Sequence, residues 1–220
     1  MKIILQIVLW IAIIFLGWKL YGSITGPIEF NKIKEARYKK VIVNLQDIQA
    51  AQLAHQSIIG DFTGSFDSLV QFIDTAKFAI TQRRDTSYAD VEKNKAYGID
   101  EGYYITEIIT DTLSYTSVKD SLYNGGDRYK TMMNIPVKGV DDKIEMKAGT
   151  YVKNDVSYSV FEAKVAKKTI LSDLDKDLLS QELNVVSVDG VNGEYIKVGS
   201  LNEINTSGNW PKNLEAAKKQ

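Results

Sequence analysis

From Ile3 to Gly22 the chain reads IILQIVLWIAIIFLGWKLYG, with Gln6 and Lys19 as the only charged or amide interruptions. As a helix, these 20 residues span roughly 30 Å, the thickness of a bilayer's hydrocarbon core. Trp18 and Tyr21 fall where a helix end meets lipid headgroups, and Lys19 can snorkel to the same level. With Trp10 in mid-segment, these are the expected anchor residues. A cleaved signal peptide would have a shorter apolar run and a small-x-small junction, for which Gly22-Ser23 is the nearest candidate. The pattern therefore predicts a transmembrane anchor over residues 1–24.

Gly26-Pro27 punctuates or kinks the helix. A helical period then runs from Asn31 to Ile59. Tyr38, Val41, Leu45, Ile48, Gln52, His55 and Ile59 recur at spacings of three and four, and Lys39, Asn44, Asp47 and Gln56 lie opposite. This predicts an amphipathic stem over 25–60, packed through Val41, Leu45, Ile48 and His55. Gly60-Asp61 ends it. A turn over Gly60–Gly64 leads to a short helix with Ser65 as N-cap and Phe66, Leu69, Val70 and Ile73 on its apolar side. Thr81 to Gly102 is polar and charged and predicts an exposed loop.

From Tyr103 the period changes. Tyr103–Ile109 and Leu113–Val118 predict strands, Asn124–Asp127 a turn, and Met132–Val137 an edge strand limited by Pro136. Lys143–Val152 and Val156–Val165 predict a hairpin across Lys153-Asn154-Asp155. Val156, Tyr158 and Val160 share one face and Phe161, Ala163 and Val165 the other. That switch implies a bulge near Val160-Phe161 or a strand buried on both faces. Thr169–Leu183 predicts a helix, and Asn184–Val188 with Tyr195–Val198 a second hairpin. The chain closes on a charged tail. The class is α+β: an N-terminal transmembrane helix continuing into a long amphipathic helix packed on an antiparallel sheet, with residues 61–220 forming the soluble head.

Composition narrows the chemistry. The 27 basic and 28 acidic residues nearly cancel, which argues against nucleic acid as a partner. Without cysteine there are no disulfides, thiolate metal sites or thiol catalysis. His55, the single histidine, shares a helix face with Leu45 and Ile48 and has no nucleophile motif to serve. Asp173-Leu-Asp-Lys-Asp177 has the opening spacing of a calcium loop. However, Leu178 replaces its glycine and Asn184 its closing glutamate, so a solvated helix face is expected. Asp189, Asn192 and Glu194 read as turn composition. No cofactor, metal or small-molecule substrate is expected, and the chain is not expected to be an enzyme.

The stretch Asp47–Val70, DIQAAQLAHQSIIGDFTGSFDSLV, resembles the type IV pilins and type II secretion pseudopilins. Asp47-Ile48 stands at the start of the corresponding helix, with Ala50, Ala51 and Ala54 as its small residues. Gly60-Asp61-Phe62 stands at its turn, and Leu69-Val70 in the helix that follows. The family's Gly-aromatic leader junction with its glutamate does not occur before residue 20, and Thr63 replaces the turn proline. The resemblance implies a structural subunit of an envelope assembly. Its partners would be the lipid bilayer and itself or other envelope proteins. It would sit in the inner (cytoplasmic) membrane as a single-pass protein with its head outside. The basic residues after the anchor, Lys19, Lys32, Lys34, Arg37, Lys39 and Lys40, favour a cytoplasmic head instead. The alternative function is a bitopic protein whose head is a protein-binding module of another envelope complex.

Overall fold

The computed structural model describes residues 2–100 and 102–215. Glu101, inside the expected loop, and most of the charged tail lie outside the described residues. The chain divides into two compact units, residues 1–70 with 127–220 and residues 71–126.

In the first unit, helix α1 runs unbroken from Lys2 to Ile59, 58 residues including Pro27. At 1.5 Å per residue that is roughly 87 Å of rod. Pro27 cannot donate to the Ser23 carbonyl, but it stands just beyond the apolar run, where water can satisfy the freed group. Along residues 2–24 every side chain is exposed, and from Phe30 onward the helix begins to bury a face. After the turn, α2 (Phe66–Thr75), whose residues 71–75 belong to the second unit, starts at Ser65, whose hydroxyl accepts from Ser68 N–H, and it buries Leu69, Phe72 and Ile73.

Strands β3 (Glu145–Lys153), β4 (Val156–Ala166) and β5 (Tyr195–Gly199) form an antiparallel sheet in the order β3-β4-β5. Asn154 and Asp155, at φ 52° and 61°, give the paired left-handed residues that a two-residue hairpin turn requires. Pairing runs without interruption from Glu145↔Lys164 to Lys153↔Val156, so no bulge interrupts Val160-Phe161; both residues are buried. Phe161, Ala163 and Val165 of β4, with Ile196 and Val198 of β5, are buried. Intervening Glu162 lies between Lys164 (3.7 Å) and Lys197 (3.2 Å). α1 packs on β4 and β5.

Gly199 ends β5 at φ +75°, and an added Cβ would run into the Phe161 carbonyl oxygen. Gly199→Ala is therefore expected to cost more than about 1 kcal/mol, because strain and a backbone clash coincide. Thermal unfolding of the full chain in detergent micelles measures it.

Three expectations for this unit need correction. Met132–Val137 is not a strand: Asn134 makes a single bridge with Lys143, and Pro136 offers no donor to extend it. The helix expected over Thr169–Leu183 divides into α5 (Lys167–Ile170) and α6 (Lys176–Leu183). Asp175 ends the continuity by accepting from the N–H groups of Asp177 and Leu178, both at 3.0 Å, as an N-cap. Asn184–Val188 forms no strand, because local bonds such as Ser187 N–H to Asn192 Oδ1 hold it, and β5 pairs with β4 instead.

In the second unit, β1 (Lys77–Ala89) and β2 (Tyr104–Ser117) pair as a two-stranded antiparallel ribbon with a register shift at Ile80/Thr81. The loop expected over Thr81–Gly102 is thus confined to the described residues outside β1 and a short helix. The first nine residues of that span belong to β1, and α3 (Val91–Ala96) follows, capped by Asp90. The two strands expected over 103–118 are one. At the ribbon's end, the side chain of buried Asn94 bonds both the N–H and the C=O of Tyr103 (2.8 and 3.1 Å). Helix α4 (Val118–Tyr123) is capped by Ser117 and ends on left-handed Asn124.

Candidate functional site: the stem and its clasp

The anchor residues lie along the first third of α1. Trp10, Trp18 and Tyr21 are 65–70% exposed, and the most apolar stretch has a mean hydropathy of 2.3 with none of it buried. A water-facing surface of that kind is unfavourable at about 25 cal/mol per Å², so it calls for a lipid or protein surround. It is the only helix among the described residues long and apolar enough to cross a membrane.

Higher on α1, Val41, Leu45 and Ile48 are fully buried, together with Ile42 and Ala51. His55 is half-exposed; its Nδ1 meets the Asp61 carbonyl oxygen at 2.6 Å. Gln52 is the other tie to the turn. Its Nε2 donates to Thr63 O (2.5 Å), while Thr63 N–H donates back to its Oε1 (3.1 Å). Phe62 inserts its ring against Phe161, centroids 4.7 Å apart, and its N–H donates to Ser159 Oγ. Gly60 takes φ +100° at the turn, and Asp61 is exposed. The structure thus brings His55, Asp61 and Phe62 together at the upper end of the stem. The anchor residues stand apart, lower on the same helix.

Sequence reasoning missed a polar clasp on the lower stem. Lys167, fully buried, donates from Nζ to Glu182 Oε1 (3.0 Å), Glu182 O (3.1 Å) and Val191 O (2.6 Å). Two α1 side chains complete the cluster: Lys34 reaches Glu182 Oε2 at 2.8 Å and Tyr38 Oη reaches Oε1 at 3.2 Å. Burial pushes the Lys167 ammonium below its ordinary pKa, while Glu182 works to restore it. Burial opposes ionisation of Glu182, but hydrogen bonds and charges from Lys34 and Lys167 outweigh it and hold the carboxyl below its usual value. Burial also drives the Tyr38 phenol well above its ordinary pKa. Beside the cluster, the Arg37 guanidinium forks onto Asp173 and donates to the Ile170 carbonyl. The expected Asp173–Asp177 face is therefore one ion-pair partner, one N-cap and one first-turn carboxylate.

No buried side-chain polar atom among the described residues lacks a partner, and none of their acidic and histidine groups cluster as metal ligands. A groove of about 430 Å³ is lined by Gly64, Met146, Lys147, Ala148, Val160 and Leu201, of which Lys147 alone is ionisable. Comparison with protein-family models, characterised proteins and solved structures found no match.

Proposed function

We propose that this chain is a membrane-anchored structural subunit of a pilin-like or secretion-type envelope assembly, working through its stem and not through catalysis. The observation that carries the reading is α1 itself. One uninterrupted helix is bare and apolar over its first third and packed into the head higher up. A rod of this kind transmits position between bilayer and head without a hinge. Its exposed apolar surface, including Gly17 and Gly22, suits lateral association in lipid. The turn over Gly60–Thr63, tied to α1 by His55 at Asp61 and by Gln52 at Thr63, lies where the resemblance to pilins expects one. The proposed location is the inner membrane with the head outside. The basic flank weighs against that side even though Lys34 and Arg37 are ion-paired, because insertion precedes folding and counts the charges unpaired. A topology reporter fused at the C terminus decides the side.

The expected result for the anchor is that alkaline extraction leaves the full-length chain in the membrane fraction. Trp10→Cys should form specific disulfide adducts there. Replacing residues 1–24 by an unrelated anchor should abolish assembly, read from adducts of Ile28→Cys just outside the exchanged segment, while the head stays folded. A soluble mature chain starting near Ser23, or a detached head fully active as a monomer, would refute the reading.

A further inference from the structure

The ribbon β1–β2 has a surface that its own unit leaves uncovered. Its strands, 13 and 14 residues long, have only each other as neighbours, so each has one open backbone edge. Neither face is packed: Ile80, Tyr88, Ile105, Ile108, Leu113 and Tyr115 are all exposed. A two-stranded ribbon with no covered face is marginal in water, and an open edge is a template for another strand. The charges say which strand fits. β1 carries Lys77, Arg83 and Arg84 against the single acid Asp85, whereas β2 carries Glu107 and Asp111 and no base. Within the ribbon, Arg84 already pairs with Asp111 at 3.2 Å. Like charges directly opposite one another across strands are destabilising and opposite charges are favourable. β1 against a second β1 sets two strands of net positive charge side by side, and β2 against a second β2 sets together two strands that carry acids and no base. β1 against β2 of another copy repeats the pairing the ribbon already contains.

We infer that ribbons of neighbouring copies join edge to edge, β1 of one chain against β2 of the next, to build a continuous antiparallel sheet. The contact is heterologous, so it propagates along a row of subunits instead of closing a pair. This deepens the assembly proposed above and rests on it, because shared anchorage in one membrane supplies the neighbouring copies.

The test uses full-length chains co-expressed in one membrane, in a protein that has no cysteine of its own. One copy carries Ser87→Cys on β1 and a differently tagged copy carries Thr106→Cys on β2, joined by a short bismaleimide. Mixed Ser87→Cys/Thr106→Cys adducts are expected to dominate over same-site adducts. Arg83→Glu with Arg84→Glu in both copies should lower the mixed adduct about fivefold, as reversing the diagonals from Arg84 to Glu107 and Asp111 would. Glu107→Lys with Asp111→Lys in both copies should do the same. Because either change could loosen the ribbon itself, the deciding arm combines them. The acidic β1 variant bearing Ser87→Cys, mixed with the basic β2 variant bearing Thr106→Cys, should restore the adduct. Dominant same-site adducts, insensitivity to charge, or no restoration in that mixture would overturn the inference. Trp10→Cys adducts persisting without ribbon adducts would sink the ribbon contact and leave stem assembly standing. Ribbon adducts without Trp10→Cys adducts would do the reverse.

Discussion

Ile48→Asp is expected to destabilise the head by about 4 kcal/mol, the cost of placing an unpaired charge in an apolar site. Ile48 is fully buried on the α1 face that also buries Leu45, Ala51 and Gln52. The neighbouring residue shows what a carboxylate needs there. Asp47 is held by Arg128, with Nε and Nη2 each 3.0 Å from its oxygens. Even so, burial outweighs the guanidinium and raises its pKa above the ordinary value. An aspartate one position further on sits about 100° round the helix from Asp47, on the face that buries Leu45, Ala51 and Gln52, and the Gln52 amide is already committed to Thr63 O. Leu53→Asp, on an exposed position of the same helix, is the control and should change stability by no more than about 0.5 kcal/mol. Denaturant unfolding of the full chain in micelles, followed by tyrosine and tryptophan fluorescence, measures both. Equal midpoints for the two variants would mean that the α1–sheet contact does not hold the head.

The rod was readable because its two signals are local. An unbroken apolar run marks residues 3–22, and a spacing of three and four marks the stem. The hairpin at Asn154-Asp155 was readable for the same reason, since two adjacent residues that tolerate left-handed backbone specify its turn. The extent of stem burial was not. Asn44 and Asp47, assigned to the outward face, bond Asn134 and Arg128, and Ile42 is buried beside the expected stripe. The packed arc is wider than one stripe because α1 meets chain on several sides. The ribbon was misread for a physical reason too. Alternating polarity arises when a strand buries one face, and β1 buries neither, so Gln82 to Ser87 reads as loop. The clasp had no sequence signature: Lys34 and Glu182 are 148 residues apart, and each alone is ordinary surface composition.

Removing Glu182 should be the most damaging single change at the clasp. Glu182→Ala leaves the Lys167 ammonium buried with two carbonyls and no counter-charge, and it strips Lys34 and Tyr38 of their shared partner. Breaking a buried pair from one side costs about 3–5 kcal/mol, whereas replacing both members by apolar residues of similar volume is often neutral. Lys167→Met combined with Glu182→Leu removes both charges of the buried pair and is therefore expected to cost clearly less than Glu182→Ala, although Tyr38 Oη still loses its acceptor. The coupling is read from the cycle of Lys167→Met alone, Glu182→Leu alone and the two together. The acid limb of stability gives an independent check. Against the cost of burial, hydrogen bonds and charges from Lys34 and Lys167 hold the folded Glu182 carboxyl below its usual value. Its contribution is complete above the unfolded pKa and is lost as pH falls through the folded one. The parent should accordingly lose stability more steeply below pH 4.5 than the double variant, in which no proton is taken up at this site. Parallel acid limbs, or a loss below about 1 kcal/mol for Glu182→Ala, would show that the clasp does not fasten α6 to the stem.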